Sequence, residues 1–331
     1  MARPKKEVDP EDVGKSPLDL VLSAIDKQFG KGMVFRSTDQ SLEGTKWIPS
    51  GCMTLDRALG GGYPRGRIIE VYGNESGGKT TLSLHAIAEA QKLGLTCAFV
   101  DAEHALDVGY ARKLGVDVDK LLISQPMNGE DALDLVELLS RSGEIGLIVI
   151  DSVAALTPRA ELEGEMGDSS VGRQALLMSK AMRKLCGVAA TTETTLFFIN
   201  QLRMKITMFG NPETTAGGQS LKYYASQRLD IRRQKAVGED GKEKTGVGAK
   251  VKVVKNKVAP PFREAEFIIN FGEGIDWAED LYQLSIASGL VVRQAASFLL
   301  GEEKIGYGMD SFKDDIRNKP GLATRLRGLL Q

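Results

Sequence analysis

An α/β protein with a mostly parallel central sheet, covered by helices on both faces, is what this sequence predicts. Between residues 48 and 274, apolar β-rich runs at 68–72, 96–100, 121–124, 147–150 and 196–199 alternate with helical stretches. Strands that read as nearly continuous apolar runs belong to sheets buried on both sides. The first run passes through Gly73-Asn74-Glu75-Ser76-Gly77-Gly78-Lys79-Thr80 into an amphipathic helical segment at 82–87. That octet fits G-x-x-x-x-G-K-[ST], a loop whose backbone N–H groups and following helix N-terminus face the phosphates of a nucleoside triphosphate. Lys79 adds a point charge there, and the Thr80 hydroxyl suits Mg²⁺.

From the N-terminus, Ser16 and Pro17 open a helix, as a cap and a first helical residue, with Leu18, Val21, Leu22, Ile25 and Phe29 on one face. It ends at Gly30. Residues 33–36 read as a short strand and 37–46 as a polar linker. This unit, residues 1–47, cannot bury its own apolar stripe and should dock on the main domain or on a neighbouring subunit. The main domain follows over 48–274. Past residue 196 the β runs at 229–232, 250–254 and 266–271 come without intervening helices, which suggests antiparallel additions to one sheet edge. Residues 275–331 read as a small α/β or helical appendage. Two loops, at about 157–172 and 202–218, are long and without period, and both start after core strands at the edge where α/β proteins place ligands.

Composition bounds the function. The chain has 331 residues, 42% hydrophobic and 26% charged, enough for a sizeable core with appendages. There is no apolar run near 18 residues and no signal-peptide pattern, so a cytosolic protein without a membrane partner is expected. Cys52, Cys97 and Cys186 are widely separated, outside any C-x-x-C spacing, and read as reduced thiols; two histidines, His85 and His104, exclude a histidine-rich metal site. The net charge of −1 gives no overall basic excess, so nucleic-acid binding would have to use a local stripe. Lys250, Lys252, Lys255, Lys257 and Arg263 form one basic cluster, and Arg203 with Lys205 forms another beside a glycine-rich loop. Such clusters are also common on solvated faces.

Hydrolysis of a triphosphate needs a metal-side carboxylate, a group that activates water, and positive charge for the transition state. Asp151 ends the apolar strand at 147–150 and would present its carboxylate to the metal. A strand-end aspartate also serves as a helix cap, a role open to Ser152, but the phosphate loop favours the metal. Glu103 follows a second core strand at the same sheet edge and suits a general base for water; the alternative is a surface glutamate near a helix start. Gln201 follows a third strand, placed to sense the γ-phosphate and pass its presence to the second loop.

With those residues in place, the chain resembles the bacterial RecA-type DNA recombinases from about residue 16 to 308. The stretches that carry the resemblance are the octet at 73–80, Asp101-Ala102-Glu103-His104-Ala105-Leu106-Asp107, 151–158, Met208-Phe209-Gly210-Asn211-Pro212-Glu213-Thr214-Thr215, and Val253-Val254-Lys255-Asn256-Lys257. The resemblance implies a RecA-like P-loop ATPase core with an N-terminal helix–strand oligomerisation arm and a small C-terminal α/β domain. It implies ATP and Mg²⁺ as cofactors, with the nucleotide held by residues 73–80, Asp107 and Tyr110, the last packing on adenine. Lys79, Glu103 and Gln201 would be catalytic, Thr80 and Asp151 on the metal side, and Lys255 and Lys257 would reach a neighbouring subunit's γ-phosphate. Val171, Arg173, Arg183, Arg203, Lys205, Phe209, Asn211, Gly217 and Gly218 would contact DNA.

The implied activity is pairing and strand exchange by a helical homo-oligomer on single-stranded DNA that also engages double-stranded DNA, with a self-cleaving repressor as a further partner. A ring helicase on the same core, or a filament acting mainly through repressor cleavage, are the other readings. The sequence departs from the family pattern at residues 169–174, at Leu176, in a second loop one residue shorter, and at Tyr223 beside Lys222.

Overall fold

The computed structural model describes residues 16–30, 34, 44–165, 172–204, 212–238 and 244–330. Contacts divide the chain into two units, Met1–Lys46 and Trp47–Gln331. In the first unit, α1 (Pro17–Phe29) opens on a capping box, with the Ser16 hydroxyl accepting from the Asp19 N–H and the Asp19 carboxylate from the Ser16 N–H; Gly30 closes it. A cap of this kind contributes about 1 kcal/mol. No residue of α1 is buried, and Leu18, Val21 and Phe29 are all exposed. The strand expected at 33–36 lies outside the described residues, apart from Val34.

The second unit begins with β1 (Trp47–Ile48), α2 (Met53–Leu59) and β2 (Tyr63–Pro64), the two strands pairing antiparallel. The α/β alternation follows: β3 (Ile68–Gly73), α3 (Lys79–Lys92), β4 (Thr96–Asp101), α4 (Val108–Lys113), β5 (Leu122–Ser124), α5 (Gly129–Arg141), β6 (Ile145–Asp151), α6 (Arg159–Leu162), α7 (Arg173–Thr192) and β7 (Thr195–Met204). Then come β8 (Glu213–Thr215), α8 (Ser220–Tyr224), β9 (Gln227–Val237), β10 (Gly246–Asn256), β11 (Glu264–Asn270) and β12 (Gly274–Ile275). The main sheet has the order β12-β11-β10-β9-β3-β7-β6-β4-β5, and β8 pairs antiparallel with β7. From β9 through β3 to β5 the pairing is parallel; from β9 to β12 it is antiparallel. The mostly parallel sheet with an antiparallel edge expected from the sequence is the fold.

Alternation along each strand divides the core between the two faces. Ile69, Val71, Phe99, Val149 and Phe197 pack with Leu82 and Ile87 of α3, while Ile68, Val100, Ile150, Leu196 and Phe198 pack with Leu133 of α5 and Met178, Met182 and Leu185 of α7. Burial on both sides is why these strands read as unbroken apolar runs. Helix α3 is buried on most of its circumference, so the amphipathic reading of 82–87 understates its burial.

A separate core belongs to the C-terminal segment: α9 (Trp277–Ala287), β13 (Val291–Gln294), β14 (Ser297–Leu300), β15 (Glu303–Tyr307), α10 (Met309–Asn318) and α11 (Pro320–Leu330). The appendage is therefore α/β, with Phe298 and Phe312 stacked at its centre, 4.5 Å apart. Asp280 of α9 ties it to the main domain by accepting from the Met53 N–H, at 2.6 Å, at the start of α2.

Candidate functional site

All parallel strands deliver their carboxyl ends to one edge. Register places Gly73 beside Gln201 and Asp101 beside Asp151. The phosphate loop leaves β3 there and enters α3 through Gly78, whose φ of +93° favours glycine. A Cβ at Gly78 would also lie 2.4 Å from Ile269 Cδ1.

Lys79 is 9% exposed, and its ammonium donates to the loop's own carbonyls, Asn74 at 2.7 Å and Gly73 at 3.3 Å. Burial pulls its pKa down, opposed by the charges of Asp151, Glu103 and Glu75. The Thr80 hydroxyl donates to Asp151 Oδ2 at 2.9 Å. Burial pushes the Asp151 carboxyl up to about 6, with Glu103 and Asp101 adding to the rise and Thr80 and Lys79 opposing it. A hydroxyl and a carboxylate facing one another beside the phosphate loop form an oxygen donor set that fits Mg²⁺, which takes one or two protein oxygens and completes its shell with phosphate and water.

Glu103 lies just beyond β4, level with the end of β6. Its Oε1 accepts from Gln201 Nε2 at 2.8 Å and from the Ser152 hydroxyl. Among the described contacts, both donors converge on one oxygen of the carboxylate. Ser152 occupies the cap position of a 3₁₀ turn but makes no side-chain cap; its hydroxyl serves Glu103 instead. Asp101, 1% exposed, holds the turn that carries Glu103, accepting from the N–H groups of Ala105 and Leu106 and from Gln125. Asp107 caps α4 through the Tyr110 N–H, and the Tyr110 hydroxyl meets Thr81 Oγ1 at 3.0 Å, which fixes the ring.

Gln201 leads in two directions. Strand β7 runs three residues beyond it to Met204, and Leu202, Arg203 and Met204 pair with Thr215, Thr214 and Glu213 of β8. The second loop expected over 202–218 is thus partly a hairpin, because its two ends satisfy each other's backbone groups. Beneath it, Asn200 donates to Glu70 and to the Ala216 carbonyl, and Arg228 completes a buried ion pair with Glu70. Arg232 on β9 holds Glu213 by two hydrogen bonds, at 2.6 and 2.9 Å.

The first loop, expected at 157–172, contains the short helix α6, and the second ends in two glycines packed on the residues that flank the first. Gly217 has φ +77° and Gly218 φ +80°; a Cβ on Gly217 would approach Val153 Cγ1 to 2.7 Å. Gln174 donates to the Val153 and Leu156 carbonyls, Arg173 donates to Ala160 O at 2.8 Å, and a hollow of about 290 Å³ opens between Thr157, Gly172, Gln174 and Gly218. Arg183 on α7 and Arg203 on β7 are exposed. Val171, Lys205, Met208, Phe209 and Asn211 lie outside the described residues.

Lys255 and Lys257 stand elsewhere. Arg228 pairs with both Glu70 and Lys255 across the sheet, three residues before Gly73 on β3. At about 3.3 Å per residue this is ~10 Å short of the phosphate loop along the strand, and two strands to the side. Lys255 Nζ donates to the carbonyls of Lys222 and Tyr223, each at 2.8 Å. Burial lowers its pKa, and the neighbouring Lys257 and Arg228 lower it further. Tyr223 is 72% exposed.

Two of these arrangements were hidden from the sequence. The support of Glu103 by Asp101 and Ser152 has a faint local signal, since both residues adjoin motif positions. The Asn200–Glu70–Arg228 network has none, because the three residues come from three strands.

Comparison with known proteins gives a consistent picture. The RecA N-terminal domain family matches residues 16–276. Protein RecA of Bacteroides thetaiotaomicron is 56% identical over 315 residues, spanning 95% of each chain. Protein RecA of Syntrophus aciditrophicus is 56% identical over 312 residues, 93% of this chain and 91% of its own. That of Streptomyces ambofaciens is 55% identical over 311, 93% and 83%.

Proposed function

The chain belongs to the RecA family, and from that premise we propose how its own residues carry ATP-dependent DNA strand exchange. It is a DNA-dependent ATPase of recombination and repair that works in the cytoplasm with ATP and Mg²⁺, binds single- and double-stranded DNA, forms filaments, and promotes repressor self-cleavage. No described helix is long and apolar enough to cross a membrane.

On nucleotide binding, the N–H groups of residues 74–80 take the phosphates, and Lys79 exchanges the carbonyls of Gly73 and Asn74 for phosphate oxygens. Thr80 would hold Mg²⁺ directly and Asp151 would hold it through water, and the ion would supply positive charge against that developing on the phosphates. Asp107 and the ring of Tyr110 seat the adenine. Glu103 has one oxygen engaged by Ser152 and Gln201, which leaves Oε2 to take the proton of the attacking water. Lys255 and Lys257 complete the site of a neighbouring protomer, since they stand too far from their own phosphate loop.

The single observation that carries the coupling to DNA is Gln201. Its amide touches the general base, and its backbone belongs to the strand that continues into the second DNA loop. Arg173, Arg183, Arg203, Lys205, Asn211 and the amides of Gly217 and Gly218 take DNA phosphates, while Val171 and Phe209 wedge between bases, unstacking them at a cost of a few kcal/mol per step. Sequence is read by base pairing, and the protein supplies charge and shape.

The test is ATP hydrolysis without DNA, with single strands and with duplex, at low and moderate salt. Strong stimulation by single strands that weakens with salt is expected, together with loss of strand exchange in Lys79→Ala. Equal hydrolysis in all three conditions would refute the coupling.

A further inference from the structure

Between the two lysines assigned to a neighbour's phosphate sits Asn256, and its side chain is tied down more thoroughly than either. Its Nδ2 donates to Leu59 O at 2.9 Å, and its Oδ1 accepts from the N–H groups of Val258 and Ala259 at 3.1 and 3.3 Å. One carboxamide thus closes the turn that follows β10 and staples it to the end of α2, 197 residues away in sequence. Across the ladder from Asn256 stands Gln227, fully buried, whose Nε2 donates to Gly62 O at 3.1 Å. Two amides on paired strands therefore hold the glycine turn Gly60-Gly61-Gly62 at its two ends, Asn256 at Leu59 just before it and Gln227 at Gly62. The grip is close: a Cβ on Gly60 would lie 2.4 Å from Ala259 Cβ.

Strand alternation turns this into an aiming device. Successive side chains point to opposite faces, so Asn256 facing the α2 turn puts Lys255 on the other face. Lys257 is then fixed through its backbone, whose N–H donates to Ser226 O at 2.9 Å. A lysine is a flexible four-carbon stem bearing a point charge, and it reaches a fixed target only if its backbone is fixed.

We propose that Asn256 is a positioning residue for ATP hydrolysis, holding the backbone from which Lys255 and Lys257 reach the γ-phosphate bound by the adjoining protomer. The proposal rests on the assignment of those lysines to the neighbouring site. Asn256 touches neither nucleotide nor the reacting atoms. It acts on a site in another copy of the chain, and this separates it from a residue that merely stabilises its own fold.

That separation supplies the test. Asn256→Ala should keep nucleotide affinity in the DNA-free protomer while DNA-stimulated turnover falls about 10- to 100-fold, the effect of a misplacement near 1 Å. Asn256→Ser, which keeps an acceptor for the turn but loses the reach to Leu59, should fall between this variant and wild type. Each variant is then mixed with Glu103→Gln protomers, which lack the base but present intact lysines; Lys255→Ala mixed with Glu103→Gln runs alongside. Turnover severalfold above the sum of the separate proteins, for Asn256→Ala and Lys255→Ala alike, is the expected result. Complementation by Lys255→Ala but not Asn256→Ala, in a variant whose thermal unfolding matches wild type, would overturn the role of Asn256 and leave the lysine assignment standing. Absence of complementation by Lys255→Ala would overturn that assignment and this proposal with it. Wild-type turnover in Asn256→Ala alone would overturn the proposal directly.

Discussion

The Asp151 carboxyl carries a proton more readily than an exposed aspartate because burial penalises its charge, and this gives Mg²⁺ binding a pH dependence. A raised carboxyl pKa means that the folded, metal-free protein binds more protons than the unfolded chain between about 4 and 6, so its stability declines as pH rises through that window. Mg²⁺ competes with the same proton. The rise in melting temperature given by Mg²⁺ with a non-hydrolysable ATP analogue should therefore be smaller at pH 5 than at pH 7.5; equal shifts would show that Asp151 is not on the metal side. Ser152→Ala tests the neighbouring carboxylate. It removes one of two donors to Glu103 Oε1, and a hydrogen bond to a charged group is worth about 1.5–3 kcal/mol. DNA-stimulated kcat should fall by roughly 10-fold or more with KM little changed, whereas unaltered kcat would mean that Gln201 alone orients the base. Glycine-loop and strand-end residues were legible in the sequence because their chemistry depends on local spacing. Asp101, Ser152 and Asn256 were not, since their work depends on which atoms the fold brings to them.

At the level of elements, the parallel strands β3, β4, β6 and β7 were legible because burial on both faces leaves an unbroken apolar run, and β9, β10 and β11 because one buried face leaves an alternating one. Their ends were less legible. Strand β7 outlasts its apolar core by several residues because Leu202, Arg203 and Met204 find partners in β8 rather than in the hydrophobic interior. The segment that follows this pairing packs at Gly217 on the elements flanking the first loop, where both a left-handed backbone and the nearness of Val153 and Met178 exclude a side chain. Gly217→Ala should cost about 1–3 kcal/mol from strain and crowding. Because the disturbed contact lies between the second loop and the residues that flank the first, stimulation of ATP hydrolysis by single strands should drop more than nucleotide affinity does. Measuring both in one preparation decides it, and a parallel loss of the two would place the damage in the core instead.

For the molecule as a whole, α1 is a well-capped helix with an apolar stripe and no buried residue of its own. Removing residues 1–46 should leave nucleotide binding by the 47–331 unit intact and abolish filaments in sedimentation and electron microscopy; filaments of normal length would show that the arm is dispensable. The position of Lys255 and Lys257, far from the phosphate loop of their own chain, has a counting consequence. If each complete hydrolytic centre draws on two successive copies, a stack of n protomers contains n − 1 such centres. One terminus always carries a nucleotide that nothing completes, and the opposite terminus always carries a pair of lysines with no phosphate to meet. The two ends are then chemically unlike, short assemblies turn over less ATP per subunit than long ones, and the difference between growth and loss at either end follows from the placement of two side chains.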